Sequence, residues 1–302
     1  MRSYAKVKCL DLIGVTGKIS DVLKNCSIVF QEISPDKNVI YHITGDVHYC
    51  TLLLRNKKVI VTVHDLGRYF VLKGMHKRLY WILRIFPLRF AKKVVCISNA
   101  TVNEVNLAIK LPKSRITTIP DEVGEEFQYS EKIFNSDRPT ILHIGTRPHK
   151  NLTRTVEALK GIKCQLRIVG MVEDSDVKTM DENGIDYSIV HNLSDEQLLQ
   201  EYKNADIINF PSLHEGFGMP IIEGQAIGRL VITSDIEPMK SVAGDGAILC
   251  NPYDVQSIRE AYLKGITDCD YRGRIIKAGI ENVKKYRLER ITKQYFELYK
   301  SL

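Results

Sequence analysis

Two carboxylates, Glu215 and Glu223, bracket the segment EGFGMPIIE in the last third of the 302-residue chain. The apolar run Ile207–Phe210 precedes this segment and predicts a buried strand. Pro220 suits the first positions of a helix, and Gly228 suits the end of one. The pattern therefore places one carboxylate on a strand-to-helix loop and the other in the first turn of the helix.

The loop combines glycines with free backbone donors. Gly216 and Gly218 allow the backbone to approach a ligand closely. The first N–H groups of a helix have no partner within it and attract anions. Those groups belong to Met219, Ile221 and Ile222. The segment therefore predicts a site for a ligand that carries both hydroxyl groups and phosphate. The alternative is a structural corner in which Glu223 only interacts with the helix dipole.

A second segment, GTRPHKN at residues 145–151, places the cations Arg147 and Lys150 between a predicted strand and a predicted helix. Cations at the start of a helix oppose its dipole, so a purely structural explanation is unfavourable. Cationic groups held in place can instead stabilise the negative charge that grows on a leaving diphosphate, without a metal ion. We therefore predict that this segment acts on a leaving group.

These segments resemble the E-x7-E signature of the retaining glycosyltransferases of family four, which have the GT-B fold. The resemblance continues through residues 226–228 and 230–232, and Lys150-Asn151 matches the cationic loop of the family. Met219 stands where leucine is usual. The resemblance implies an α/β protein of two Rossmann-like, doubly wound domains that face each other across a cleft, the amino-terminal one small.

The resemblance also implies a role for each motif residue. Glu223 accepts hydrogen bonds from the ribose hydroxyls, and Glu215 holds a sugar hydroxyl and the developing cationic ring. Arg147 and Lys150 stabilise the leaving diphosphate, and His64 lines the site near the transferred sugar. The remaining donor-binding residues are Gly145, Thr146, Val190, Gly216, Phe217, Gly218, Met219, Ile221 and Ile222.

Apolar runs predict four strands in the first half, at residues 39–44, 59–63, 94–97 and 116–119. His64 and Asp65 follow the second run in the T-x-H-D pattern of the family. The resemblance implies acceptor-side roles for residues that follow three of these strands, namely Gly45, Asp46, Asp65 and Ser98; His42 is a further candidate for acceptor contact. Family members also have a glycine-rich acceptor loop near the start of the chain, for which only Gly14 and Gly17 are available here.

The second half alternates short apolar runs with helical segments. Strands are predicted at residues 140–145, 164–170, 185–190, 207–210 and 230–233, and Ser194 begins a capping box. This alternation predicts a parallel, doubly wound sheet, which binds ligands at the carboxyl ends of its strands. We expect an acceptor-side domain at residues 1–130 and a donor-binding domain at 131–285. As in GT-B proteins, a terminal helix at 286–302 is expected to cross back to the first domain.

Positive charge is concentrated in residues 55–93, where eleven Lys and Arg stand against Asp65 alone, a net charge of +10 in a chain of +7. Tyr80, Trp81 and Phe86 are interleaved with these charges. A basic, aromatic-rich helix can lie on an anionic membrane surface. The same pattern also describes an ordinary helix with one buried and one solvated face. Nucleic-acid binding is not expected, since no nucleic-acid-binding motif accompanies the charge.

The sequence thus predicts a metal-independent retaining glycosyltransferase that moves a hexose from a UDP- or GDP-sugar to a glycan or lipid-linked acceptor in bacterial surface polysaccharide synthesis. The donor is a substrate, so no cofactor is expected. Seven scattered cysteines and the lack of a spanning apolar run indicate a cytoplasmic protein that can bind peripherally to the inner face of the membrane. Two alternatives stay open: a GT-B epimerase or phosphorylase, and a sugar-nucleotide-binding partner subunit without activity.

Overall fold

A computed structural model describes residues 7–12 and 19–302, so Gly14 and Gly17 lie outside the described residues. The chain forms two compact units. The first runs to Pro120 and includes Glu289–Leu302, and the second is Asp121–Leu288. Each unit is built on a parallel sheet, as the alternation of apolar runs and helical segments predicted.

The first unit contains a four-stranded parallel sheet in which strands of successive number are neighbours. The strands are β1 (Ile40–Ile43), β2 (Lys58–Val63), β3 (Lys93–Cys96) and β4 (Ile116–Thr118). The helices before and between them are α1 (Ile19–Gln31), α2 (Gly67–Val71), α3 (Gly74–Tyr80) and α4 (Asn99–Ala108). Five consecutive residues of β2 are buried, because a central parallel strand is covered on both faces. The four predicted strands are all present.

The second unit contains a six-stranded parallel sheet in the order β10-β9-β8-β5-β6-β7. The strands are β5 (Thr140–Ile144), β6 (Gln165–Val169), β7 (Tyr187–Val190), β8 (Ile207–Phe210), β9 (Leu230–Ser234) and β10 (Ile248–Cys250). The helices are α5 (Leu152–Leu159), α6 (Asp174–Glu182), α7 (Asp195–Asn204), α8 (Met219–Ile227), α9 (Met239–Ala243), α10 (Val255–Thr267) and α11 (Cys269–Asn282). From the central strand β5, the chain adds β6 and β7 on one side of the sheet and then β8, β9 and β10 on the other side. Ligands of such sheets bind at this switch point.

The terminal helix is separate from α11. A 3-10 turn, Val283–Tyr286, follows α11, and the last helix, α12 (Leu288–Lys300), begins only after Arg287. Arg287 is extended because it pairs with Val123 in a short parallel bridge and its guanidinium donates to the Phe127 carbonyl at 2.9 Å. The apolar face of α12 packs within the first unit.

The basic window at residues 55–93 is also not a single helix. It contains β2, α2 and α3, then a π turn, Trp81–Ile85, and a 3-10 turn, Phe86–Phe90. Trp81 Nε1 donates to the Ala108 carbonyl at 3.2 Å, and Tyr80 packs against the core with it. Tyr80, Trp81 and Phe86 are therefore partly buried, and membrane binding by this window stays a prediction. The large apolar side chains exposed here are Phe70, Val71, Met75, Leu79 and Ile82. Within residues 7–12 and 19–302, no helix has the length and apolar character needed to cross a bilayer.

Candidate active site

Two loops of the second unit meet where β5 and β8 lie side by side. Strand pairing sets His143 opposite Asn209 near the carboxyl ends of these strands. The segment after β5 is residues 145–151, here named the cation loop, and the segment after β8 is residues 211–218, here named the glutamate loop. The backbone N–H of Leu213 donates to the carbonyl of His149 at 2.8 Å, which ties the loops together.

Lys150 and Glu215 form an ion pair across these loops. Lys150 Nζ lies 2.7 Å from Glu215 Oε1, and the two side chains are 19% and 14% exposed. The same ammonium lies 4.6 Å from the centre of the Phe210 ring, at the end of β8. A carboxylate and an aromatic face thus hold the cation in one place. The structure thus pairs two of the four residues that the sequence predicted for catalysis, the others being Arg147 and His64.

Gly145 and Asn151 bracket the cation loop in backbone conformations that favour their residue types. Gly145 has a φ of +84°, and a Cβ there would lie 3.1 Å from Lys150 Cε, so the glycine leaves room for the lysine side chain. Asn151 has a φ of 68° and is buried. Its amide donates to the carbonyls of Pro211 (2.9 Å) and Pro252 (2.7 Å). Asn151 therefore fixes the cation loop to the glutamate loop, a role that sequence reasoning did not assign to it.

Glu223 lies on α8, where the charge of Lys150 acts on it. Because α8 begins at Met219, Glu223 is its fifth residue, one position past the first turn in which the sequence placed it. The hydroxyl of the buried Tyr202 on α7 donates to Glu223 Oε2. Burial raises the pKa of Glu223 to about 7, although the Tyr202 hydrogen bond acts against this shift. Sequence reasoning missed Tyr202, which carries no local signal of this contact.

The start of α8 differs in part from the predicted anion cradle. Gly218 precedes the helix with a φ of +119°, and a Cβ there would lie 2.9 Å from Ile221 Cδ1. The N–H of Ile221 donates to the Gly218 carbonyl at 3.0 Å, so the prediction that it is free is wrong. The side chains of Ile221 and Ile222 are fully buried. Phe217 is also buried, with its ring edge-on to Tyr286 at 5.6 Å.

The other predicted donor residues lie along the same edge of the sheet, at the carboxyl ends of its strands. Thr146 Oγ1 donates to the Met171 carbonyl, in the loop that follows β6, and the Arg147 side chain is exposed. Val190 ends the edge strand β7, and its carbonyl accepts from the Gly170 N–H at 2.8 Å. Gly216 and Met219 are partly exposed.

In the first unit, the predicted residues lie after the carboxyl ends of β1, β2 and β3. His64 is exposed, and its Nε2 lies 2.9 Å from the Thr44 carbonyl. Asp65 Oδ1 accepts from the Gly67 N–H at 3.0 Å, next to the start of α2. Ser98 is buried, and its Oγ caps α4 by accepting from the Thr101 N–H at 3.1 Å. Both Asp65 and Ser98 therefore have structural partners.

Gly45 and Asp46, after β1, are exposed, and Asp46 Oδ2 lies 3.0 Å from Arg84 Nη1. His42 does not face outward as an acceptor contact. Its ring nitrogens lie 2.7 Å from the hydroxyls of Tyr299 and Thr62, and burial lowers its pKa to about 4. It joins α12 to the sheet of the first unit.

Residues 7–12 and 19–302 include no group of three or more His, Cys, Asp or Glu side chains positioned to hold a metal ion. Two Asp-x-Asp triplets occur in the chain, at residues 174–176 and 268–270. Both lie at helix starts, in the first turn of α6 and around the first residue of α11. Asp268 caps α11 by accepting from the Tyr271 N–H at 2.9 Å. Acidic residues at these positions stabilise the helix ends.

The protein thus has two units, each built on a parallel sheet, and the Lys150–Glu215 ion pair lies at the switch point of the second. The family model described as Glycosyl transferases group 1 matches residues 125–282, more than half of the chain. A second model, Glycosyltransferase Family 4, matches residues 36–123. The chain belongs to the glycosyl transferases group 1 family. The predicted membership among family-four-like glycosyltransferases is therefore confirmed.

O-antigen chain mannosyltransferase B of Escherichia coli is 25% identical over 299 residues, which cover 88% of this chain and 75% of that protein. Serotype-specific mannosyltransferase WbdA of Escherichia coli is also 25% identical, over 70% of this chain but only 29% of its own length. Among solved structures, sucrose-phosphate synthase of Thermosynechococcus elongatus superposes with a TM-score of 0.76 at 20% identity, covering 93% of this chain and 78% of that one. This likeness confirms the predicted GT-B fold.

Proposed function

We propose that this glycosyltransferase transfers a hexose, with retention of anomeric configuration, from a UDP- or GDP-sugar to a glycan or lipid-linked acceptor in bacterial surface polysaccharide synthesis. The observation that carries the proposal is the Lys150–Glu215 pair at 2.7 Å, at the switch point of a parallel sheet, together with the electrostatic effect of Lys150 on Glu223. Mannose is the first sugar to test, because the relative aligned over 88% of this chain is a mannosyltransferase.

In this proposal the cationic residues act on the leaving diphosphate. Lys150, which its ion pair with Glu215 holds in one place, stabilises the charge that grows as the glycosidic bond breaks, and Arg147 adds a second, exposed cation three residues away. Such preorganised charge stabilises a transition state more than a ground state. Glu215 holds a hydroxyl of the transferred sugar, and Glu223 accepts from the ribose diol. These cations supply the charge that a metal ion would, so we propose no metal and no cofactor.

Product analysis tests the proposal. The purified chain is incubated with UDP- and GDP-hexoses, GDP-mannose first, with and without glycan acceptors, and the anomeric configuration of the product is read by NMR. Transfer with retention is expected. Lys150→Ala should lower turnover by about a hundredfold or more, and Glu215→Gln should also lower it, whereas Lys163→Ala, on the exposed surface of the same unit, should not.

Each other outcome indicates a different stereochemistry or activity for this chain. An inverted product contradicts retention, and a donor sugar altered without acceptor indicates an epimerase. Sugar phosphate formed only with inorganic phosphate indicates a phosphorylase. Nucleotide binding without turnover for any acceptor indicates a non-catalytic partner subunit.

We also propose that the first unit binds an anionic membrane surface reversibly, as a lipid-linked acceptor would require. The exposed apolar side chains of α2 and α3 include Val71 and Met75, each 75% exposed. A groove of about 550 Å³ lies among them, lined by Tyr69, Gly74, Lys77, Arg78, Trp81 and Ile82. Each basic residue near such a surface contributes about 1 kcal/mol, screened by salt.

Co-sedimentation with vesicles tests this surface. Arg84 is buried beside Asp46 and is unsuitable as a variant, whereas Lys73 and Arg78 are exposed. Binding to anionic vesicles should fall with salt and fall again in Lys73→Glu/Arg78→Glu. The charge-matched variant Lys110→Glu/Lys113→Glu changes exposed residues elsewhere in the unit and should bind like the parent. Equal binding to neutral and anionic vesicles would leave α2 and α3 as an ordinary solvated surface.

A further inference from the structure

Tyr202 directs its hydroxyl at the carboxyl group of Glu223 from a fixed position. Its side chain, on α7, is fully buried, and its hydroxyl donates to Glu223 Oε2. The ring of Phe127 packs edge-on against the Tyr202 ring at 5.3 Å and 87°. Glu223 itself is only partly buried. The tyrosine is therefore immobilised by packing, while the Glu223 residue keeps some of its surface accessible.

Charged and titratable groups surround Glu223 from three other parts of the second unit. Tyr202 lies on α7, Glu126 precedes β5 and Lys150 belongs to the cation loop. Burial and the charge of Glu126 raise the pKa of Glu223, whereas the Tyr202 hydrogen bond and Lys150 lower it. A carboxyl group with a pKa of about 7 is a mixture of neutral and ionised forms at neutral pH. The hydrogen bond from Tyr202 favours the ionised form.

We infer that Tyr202 is a positioning residue for donor binding, whose hydroxyl holds Glu223 Oε2 so that Oε1 remains ionised and available to the diol of a nucleoside-diphosphate sugar. The inference rests on the proposed function, in which Glu223 binds ribose. An ionised carboxyl oxygen accepts hydrogen bonds from two hydroxyls, whereas a protonated carboxyl group must use one oxygen as a donor. Tyr202 thus affects the donor through Glu223 and without touching it.

Tyr202→Phe tests the inference through the pH profile of donor binding. The probe is GDP-mannose or UDP-glucose, whichever the unaltered protein binds, without acceptor, measured by calorimetry between pH 6 and 8.5. Neither diphosphate titrates in that range, so the profile reports on the protein. Binding should strengthen as Glu223 ionises. In Tyr202→Phe, the midpoint of the pH profile of donor binding should move upward by about one pH unit, and binding at pH 6.5 should weaken by about tenfold.

Two further readouts separate positioning from folding. The affinities of Tyr202→Phe and the unaltered protein should converge toward pH 8.5, and KM for donor should rise at pH 6.5 while kcat at saturation changes little. Tyr262→Phe is the matched control, because Tyr262 is also fully buried in the second unit and donates to Asn209 Oδ1 at 2.7 Å. Tyr262→Phe should lose about as much stability as Tyr202→Phe but should leave the midpoint of the pH profile of donor binding unchanged.

The outcomes distinguish the inference from the proposed function. An unmoved midpoint in Tyr202→Phe, or a loss of affinity that is equal at every pH, overturns the inference. Failure of the unaltered protein to bind any sugar nucleotide overturns the proposed function instead. If Tyr202→Phe does not fold, Phe127→Leu is measured in its place, since it keeps the hydroxyl but removes the ring that immobilises it. An upward shift then supports the inference, and an unmoved midpoint contradicts it.

Discussion

Replacing Glu223 with Gln should stabilise the fold while weakening donor binding, two effects of opposite sign at one site. The native pKa of Glu223 is about 7, against an ordinary value of 4.5. The native state therefore holds the proton more tightly than the unfolded state does. This stabilisation is complete below about pH 4.5, declines between pH 4.5 and 7, and is absent above pH 7. Gln is neutral throughout, so it avoids the cost of burying a carboxylate at higher pH.

The size of the stability effect follows from the pKa difference. Each pKa unit corresponds to about 1.4 kcal/mol, so a shift from 4.5 to about 7 sets an upper limit of about 3 kcal/mol. Partial exposure of Glu223 reduces it, and we expect a gain of about 1–3 kcal/mol in the free energy of unfolding at pH 8. Urea unfolding at pH 4.5, 6 and 8 measures it. Glu157→Gln, an exposed change on α5, should give no pH-dependent difference.

Donor binding should change in the other direction. Losing a charged hydrogen-bond acceptor to the ribose diol should weaken affinity at pH 8 by about 1–3 kcal/mol, measured by calorimetry. A stability difference that is the same at every pH would show that Glu223 is not a buried carboxyl group with a raised pKa. Unchanged donor affinity would remove Glu223 from the site. A gain in unfolding free energy together with a loss of donor affinity would show that Glu223 serves donor binding at a cost to stability.

Three further substitutions test the loops around this site. Lys150→Ala should lower turnover by about a hundredfold or more, while the free energy of unfolding changes by about 1 kcal/mol; near-normal transfer rates would move the leaving-group role to Arg147. Asn151→Ala removes the hydrogen bonds to Pro211 and Pro252 and should cost about 1–3 kcal/mol in urea unfolding, with a fall in turnover. Gly218→Ala forces a Cβ to within 2.9 Å of Ile221 Cδ1 at a φ of +119° and should cost about 1–3 kcal/mol; unchanged stability would show that the start of α8 adjusts freely.

The second unit was predictable from sequence because each of its elements is marked locally. The helix predicted after the segment at residues 145–151 is α5, and the capping box at Ser194 is present, with both reciprocal hydrogen bonds to Gln197. Short apolar runs bounded by glycines, caps and acidic turns leave few alternative assignments. The site loops follow from the same pattern, since parallel strands present their carboxyl ends on one edge of the sheet.

The directions of the side chains in the basic window could not be predicted from sequence, for a physical reason. Composition counts charges and aromatic rings but does not give the direction in which each side chain points. Leu72 is extended and ends α2, and the π and 3-10 turns that follow α3 rotate Trp81 toward the core. Arg84 is buried beside Asp46, which lies 38 residues earlier. The net charge of +10 was correct, but it did not show that Arg84 is buried while Lys73 and Arg78 are exposed.

The contact between Tyr202 and Glu223 shows why strand order decides what sequence can reveal about this site. The chain leaves β5, adds β6 and β7 on one side, and returns through α7 to β8 on the other. Because α7 immediately precedes β8 and α8 immediately follows its loop, the two helices become neighbours, and a tyrosine and a glutamate 21 residues apart meet. The carboxylates and cations could be recognised by type and spacing. The group that orients one of them could be found only once the strand order was known.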